Sequence, residues 1–210
     1  MINDKTKLII EHYIDKVKDF NIPEYQVLDW ESEEAQKLRF SALINNFDMQ
    51  NSTLLDVGCG LGHLAEYIDN QNLKLYYTGV DIIPEMINRA NNKTFKNIIP
   101  QFMTIDFFKN SIEDDFDYIY TSGIFNLNLG NNEKFLEDAI KIFTLSARKG
   151  VCFNLLDESC REKYGNKYYY YNKNNILEKT NNILEKQNKK YNIKIVDEYL
   201  SNDFSVFKFF

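Results

Sequence analysis

Apolar residues recur along the chain in two rhythms, and the change between them falls near residue 50. From Ile2 to Phe20, the positions Leu8, Ile9, Ile10, Tyr13, Ile14, Val17 and Phe20 keep close to helical spacing until Pro23 interrupts it. A second helical stretch follows Ser32, which precedes Glu33, Glu34 and Ala35 as an N-cap residue does, and runs to about Phe47. From Thr53 onward, short apolar runs alternate with helical segments, the pattern of a parallel sheet covered on both faces. Strands are expected over 53–58, 74–82, 97–105, 117–122, 150–156, 192–200 and 203–210, and helices over 62–71, 84–93, 131–147 and 174–190. Leu136, Ala139, Ile140 and Phe143 give the 131–147 helix its buried stripe. The turn around Ser201, Asn202 and Asp203 is too short for a helical crossover, so the last two strands must pair antiparallel.

Composition narrows the function classes. The chain has 210 residues, 44% of them hydrophobic and 27% charged, which suits one packed globular unit and argues against disorder. No apolar run is long enough to cross a bilayer, and Met1-Ile2-Asn3-Asp4-Lys5 does not open a signal peptide, so a cytoplasmic location without a membrane partner is expected. Cys59, Cys152 and Cys160 lack the spacing of a disulfide framework or a thiolate metal site, and no metal is expected. A net charge of −6 lacks the basic footprint of a nucleic-acid binder, leaving a small molecule as the expected partner. The oligomeric state is not legible. The abundance of Asn, Ile, Lys, Tyr and Phe resembles that of proteins encoded by AT-rich bacterial genomes.

The chemistry-bearing residues begin where the first strand, Thr53 to Val57, runs into Gly58-Cys59-Gly60-Leu61-Gly62 and a helix opens at about His63. Glycines at such a junction allow a tight turn and close approach to a ligand, beside the free N–H groups of a helix N-terminus. His63 stands where a dinucleotide fingerprint has its last glycine, which disfavours NAD. Nineteen residues beyond Gly62, Asp81 ends the second strand, an offset suited to accepting hydrogen bonds from ribose hydroxyls; the alternative is a cap for the helix near Pro84. The third strand ends in Met103-Thr104-Ile105-Asp106-Phe107, and the fourth leads into Ser122-Gly123-Ile124-Phe125-Asn126.

The run Leu55 to Gly62 resembles the first motif of class I S-adenosylmethionine-dependent methyltransferases. The resemblance implies a Rossmann-like α/β fold, a doubly wound seven-stranded sheet with a C-terminal antiparallel hairpin, an N-terminal helical lid over residues 1–50 and a core over 51–210. It implies S-adenosylmethionine as cofactor, with the backbone of Gly58, Cys59, Gly60 and Gly62 against its methionine and ribose portions and Asp56 near its amino group. Asp81 would hold the ribose, Ile82 would pack on adenine, and Asp106 and Phe107 look like the family's adenine-binding motif. The run from Ser122 to Asn126 is similar to one in a group of small bacterial methyltransferases and lines the methyl-transfer cleft in that fold. An upstream Asp29-Trp30, Gln36 and Arg39-Phe40 also recurs in that group, so that the resemblance covers roughly residues 25 to 160. The Asp/Asn-Pro-Pro-Tyr/Phe motif of amino-methylating DNA enzymes is absent, and no proline occurs between Gln101 and Phe210.

Acceptor-side candidates are Trp30, Arg39, Asn126 and Tyr168. Arg39 either meets the cofactor carboxylate or an anionic acceptor, or makes a surface ion pair with Glu33 or Glu34. Trp30, the single tryptophan, covers the cleft or fills the core. Tyr168 to Tyr171 follow the fifth strand and Arg161, and suit either a polar organic acceptor or a half-buried loop. His12 and His63 are the only imidazoles and hence the candidate bases for a hydroxyl acceptor. The expected reaction is methyl transfer to a small polar metabolite, at oxygen, on a phosphorylated or nucleotide-linked carbohydrate precursor. The rivals are an NAD-dependent oxidoreductase and a nonenzymatic S-adenosylmethionine-binding subunit.

Overall fold

A computed structural model of the chain describes residues 2–110, 116–186 and 191–210. Its helices are α1 (Ile2–Lys18), α2 (Glu24–Val27), α3 (Glu33–Asn46), α4 (His63–Asn70), α5 (Pro84–Asn91), α6 (Asn132–Ser146), α7 (Arg161–Tyr164) and α8 (Lys173–Glu185). Its strands are β1 (Thr53–Val57), β2 (Tyr76–Asp81), β3 (Gln101–Thr104), β4 (Phe116–Thr121), β5 (Ala147–Leu156), β6 (Asn192–Val196) and β7 (Asp203–Phe209). They form one sheet in the order β3-β2-β1-β4-β5-β7-β6. The first five strands run parallel, and β7 pairs antiparallel with both β5 and β6. The chain winds outward from β1 to β3 and then returns to β4 on the other side of β1. The connections leaving the C-terminal ends of β1 and β4 therefore diverge and open a crevice.

Most expected elements form within a few residues of their predicted limits, and the departures have local causes. β3 begins at Gln101 because the N–H groups of Lys96, Asn97 and Ile98 donate to the Asp69 carboxylate, at 2.6–3.1 Å, and Pro100 follows. Ser32 does cap α3: its hydroxyl accepts from the Ala35 N–H at 3.0 Å. The helix expected over 174–190 is seen to Glu185, and its last positions, 187–190, lie outside the described residues. No helix among the described residues is long and apolar enough to cross a membrane.

Two apolar layers sandwich the sheet. On one face Leu55, Ile119, Val151, Phe153 and Val206 pack against Ile140 and Phe143 of α6 and Ile176 and Ile183 of α8. On the other, Leu54, Tyr118, Tyr120 and Phe207 meet Phe40, Leu43 and Phe47 of the α3 region and Leu64 and Ile68 of α4. The expected lid over residues 1–50 thus divides. α3 packs on the sheet through Phe40 and Leu43, while its Gln36 and Phe40 also reach the space above the strand ends. Only α1 and α2 pack beyond it, joining Val17 and Val27 to Leu61, Ile83 and Met86 in a third, smaller cluster.

Candidate active site

A cavity of about 620 Å³ opens at the C-terminal ends of β1, β2 and β4, in the crevice that the strand order creates, with Lys5, Leu8, Ile9 and Tyr13 of α1 against it. Asp56, Gly58, Cys59, Gly60, His63, Asp81, Ile82, Asp106, Phe107, Ser122, Asn126, Trp30 and Tyr168 all line it. Residues spread over most of the chain are therefore brought around one space.

The glycine turn is shaped by its backbone. Gly58 and Gly60 sit at φ of 76° and 53°, a region that side-chain-bearing residues rarely adopt. A β-carbon on Gly60 would also stand 2.9 Å from Leu28 Cδ2. The N–H groups of Gly58 and Cys59 donate to the Val80 carbonyl at 2.8 and 3.0 Å, which ties the turn to β2. Asp81 completes the tie: its carboxylate accepts from the Gly60 N–H at 3.0 Å and the Ile83 N–H at 2.9 Å. Burial raises the Asp81 carboxyl above its ordinary value, and those backbone donors oppose the rise. Ile83, and not Asp81, occupies the N-cap position of α5.

Asp56 lies beneath the turn, and the Tyr77 hydroxyl donates to it at 2.5 Å. Burial pushes its carboxyl up to about 7, and the neighbouring Asp81 adds to the rise. On the opposite side of the cavity Asp106 accepts from the Thr6 hydroxyl of α1 at 3.1 Å and pairs with Lys109 at 2.6 Å, while Phe107 is buried beside it. Four buried polar atoms on the cavity residues lack a well-formed hydrogen bond: His63 Nδ1, Tyr120 Oη, Ser122 Oγ and Asn126 Oδ1. Unmet groups of this kind around a polar-edged cavity fit a ligand that carries its own donors and acceptors.

The two histidines differ in placement. His63 lines the cavity with its Nε2 bonded to Glu24 at 2.7 Å. Donation from His63, Lys93 and Arg89 holds the Glu24 carboxyl well below the usual carboxylate range. Glu24, His63 and Glu66 converge closely enough to resemble metal ligands, but the Lys93 ammonium bridges both carboxylates, at 2.9 and 2.5 Å, and supplies the positive charge. His12 is not on the cavity wall. It stands behind Asp29, to which it is bonded at 2.5 Å, and so, contrary to the expectation from sequence, it is not placed to act directly as a base in the cavity.

Arg39 lies away from the cavity. Its side chain is 4% exposed and its guanidinium, absent from the cavity wall, is committed to Asp203 of β7 through Nε at 3.1 Å and Nη2 at 3.0 Å. A third donor goes to the Ala35 carbonyl at 2.8 Å. The residue meets neither Glu33 nor Glu34, nor is it placed to meet a cofactor or acceptor. The cause lies outside local spacing: Asp203 is 164 residues away in the chain and reaches Arg39 only because β7 inserts beside β5.

In the tyrosine segment only Tyr168 faces the cavity. The Tyr169 N–H donates to the Asn126 carbonyl at 2.8 Å, and Leu127 bridges Tyr168, so the segment braces the turn after β4. The buried Tyr170 and Tyr171 donate to the carbonyls of Gly165 and Phe125 at 2.9 and 3.1 Å.

Asp29, Gln36 and Phe40 of the recurring upstream pattern and Tyr13 of α1 also line the cavity, although none of them was assigned a role there from sequence. Asp29 has a φ of 60° and accepts from Lys16 at 2.6 Å as well as from His12. Burial alone would raise its carboxyl, but donation from His12 and Lys16 outweighs burial and holds it down at about 2. Its place directly before the lone tryptophan was the available signal; the convergence of α1 on it was not.

Residues 55–143 match the family profile described as a methyltransferase domain. Rv1506c of Mycobacterium tuberculosis, itself provisionally named a methyltransferase, is 31% identical over 105 residues, which are 48% of this chain and 61% of that protein. The chain thus spans about three fifths of the length of that curated relative. Among solved structures, the magnesium protoporphyrin IX methyltransferase of Synechocystis PCC 6803 with bound SAH superposes with a TM-score of 0.67 at 12% identity, covering 98% of this chain and 99% of that one. The plantazolicin methyltransferase BpumL gives 0.64 at 17% identity over 97% and 98%. An S-adenosylmethionine-dependent methyltransferase of Clostridium acetobutylicum gives 0.62 at 15% identity over 100% and 99%. With the switch-point cavity, the glycine turn and the acidic strand ends in place, residues 55–143 are similar to a methyltransferase domain and the chain as a whole shares the fold of S-adenosylmethionine-dependent methyltransferases.

Proposed function

We propose that the chain transfers the methyl group of S-adenosylmethionine to a small, uncharged acceptor held between Trp30, Asn126 and Tyr168. The observation that carries this reading is one cavity lined at once by the glycine turn, Asp81, Asp106 and Phe107, and these acceptor-side residues. When bound, the cofactor supplies an electrophilic methyl on a sulfonium. The turn at Gly58 and Gly60 would give its methionine portion room, Asp81 would offer its remaining lone pairs to ribose hydroxyls, and Asp106, with Ile82 and Phe107, would hold adenine. Ser122 and Asn126 bring unmet polar atoms to the point where the two halves of the cavity meet.

In-line methyl transfer asks the protein chiefly to align donor and acceptor and to exclude water, and an aromatic wall does both. A phosphorylated acceptor was favoured from sequence on the strength of Arg39, and that guanidinium is held by Asp203. The lysines on the cavity wall are also engaged, Lys5 with the Asn131 carbonyl and Lys134 with Asp138. A net charge of −6 likewise favours a small molecule over nucleic acid. Oxygen remains the proposed target: a hydroxyl in this half of the cavity has the ionised Asp29, backed by His12 and Lys16, on the adjoining wall.

Calorimetry with S-adenosylmethionine, S-adenosylhomocysteine and NADH tests the cofactor, and methyl release over matched panels of neutral and phosphorylated hydroxyl compounds tests the acceptor. Binding of NADH without either adenosyl ligand overturns the cofactor. Turnover confined to phosphorylated compounds overturns the uncharged acceptor.

A further inference from the structure

Arg39, displaced from the ligand, closes a circuit. The Gly123 N–H, at the turn after β4, donates to Asn154 Oδ1 of β5 at 2.9 Å. Asn154 Nδ2 donates to Asp203 Oδ2 at 2.8 Å, and the same oxygen accepts from Arg39. The Arg39 guanidinium carbon stands 4.5 Å from the Trp30 ring centre. The Trp30 ring edge returns to Gly123, where an added β-carbon would lie 3.0 Å from Cη2 and 3.2 Å from Cζ2. Gly123 has a φ of 86°, a conformation that side-chain-bearing residues rarely adopt, and a β-carbon there would press the Trp30 edge back by a few tenths of an ångström. Asn154, Asp203 and Arg39 are all buried, whereas Trp30, Gly123 and Asn126 line the cavity.

A buried ion pair is expensive to desolvate and offers little net stability over apolar packing of the same volume, but it fixes geometry. Here one chain of bonds runs from the Gly123 N–H through Asn154 and Asp203 to Arg39, and the Ala35 carbonyl fixes the guanidinium from the side. Tyr199 donates to the second oxygen of Asp203, so the carboxylate cannot swing away from Arg39 without losing that bond.

We infer that Arg39, Asp203 and Asn154 act as one positioning unit, which clamps Trp30 against Gly123 and thereby sets the width of the acceptor end of the cavity. This rests on the methyl-transfer reading for the word acceptor, but the clamp itself does not. None of the three touches a reacting atom; they act through Trp30 and the Gly123 turn. A planar guanidinium can cover the indole face while two of its nitrogens bond Asp203. An ammonium is a single point of charge and cannot hold both contacts in that geometry, so lysine at position 39 loosens the clamp even though it can still pair with Asp203.

Trp30 is the single tryptophan, so intrinsic fluorescence reads the clamp directly in the full chain. Arg39→Lys, Asp203→Asn and Asn154→Leu are compared with the parent by acrylamide quenching, with circular dichroism melts to select the folded variants. In Arg39→Lys, which retains a cation opposite Asp203, quenching of Trp30 is expected to rise roughly twofold with a red-shifted emission. S-adenosylhomocysteine binding by calorimetry stays within about threefold of the parent, because the glycine turn and Asp81 are untouched. If Asp203→Asn fails to fold, Arg39→Lys and Asn154→Leu decide alone. Unchanged Trp30 quenching and emission in the folded variants overturns the clamp. Absence of S-adenosylhomocysteine binding in the parent itself overturns the functional reading and leaves the fluorescence result standing.

Discussion

Asp56 and Asp81 sit on adjacent strands under one glycine turn, and their carboxyls answer to different tests. Burial and the charge of Asp81 raise Asp56 from 3.8 to about 7, so its neutral form is favoured in the fold. Its contribution to stability is fully present below pH 3.8 and is lost as pH rises through about 7. Asp56→Asn should therefore flatten the decline in melting temperature between pH 5 and about pH 8, read by thermal melts across that window. A cationic ligand group nearby favours the ionised form, so adenosyl-ligand affinity should weaken as pH falls below about 7 in the parent and not in the variant, as calorimetry can measure. Asp81→Ala should weaken binding by about 1.5–3 kcal/mol, the scale for hydrogen bonds to a charged group, while the strand persists. Unchanged affinity in a folded Asp81→Ala chain would reduce Asp81 to a brace for Gly60 and Ile83.

Among the elements, α1 is held differently from the rest. Its contacts with the cavity rim include the Thr6 bond to Asp106, the Lys5 bond to the Asn131 carbonyl, and the His12 and Lys16 bonds to Asp29. α3, by contrast, sinks Phe40, Leu43 and the adjoining Phe47 into the layer on the sheet. Local opening takes the least buried element first. Hydrogen exchange should therefore be faster in α1 than in α3, and S-adenosylhomocysteine should slow it in α1 more than in α6. Equal protection of α1 with and without ligand would mean that it is a fixed wall. The helices and most strands were readable from apolar spacing because each buries its own stripe. The lid boundary was not, since the spacing of α3 is the same whether its partner is a sheet face or a ligand.

Across the whole molecule, the insertion of β7 between β5 and β6 joins the sheet to the site. It buries Phe207 against Phe47 and carries Asp203 to Arg39. Phe207→Ala should cost about 3–5 kcal/mol in urea unfolding, as the removal of a fully buried aromatic does. A loss below about 1 kcal/mol would mean that the cavity collapses freely and that the strand is not anchored there. The sequence by itself determined the alternation of strands and helices, the antiparallel end of the sheet, and the glycine turn and acidic strand ends that line one side of the cavity. Those features are local: a glycine turn, a carboxylate at a strand end and a cap are each written in a few consecutive residues. Which of the acceptor-side candidates reach that cavity was decided by the tertiary structure: Trp30, Asn126 and Tyr168 line it, and Arg39 does not. Tyr13 of α1, Asp29 and Trp30 between α2 and α3, Asn126 after β4 and Tyr168 before α8 are far apart in the chain, and the charge of Arg39 was assigned by Asp203, 164 residues away. A guanidinium takes whichever carboxylate the fold desolvates beside it, and no spacing along the chain carries that choice.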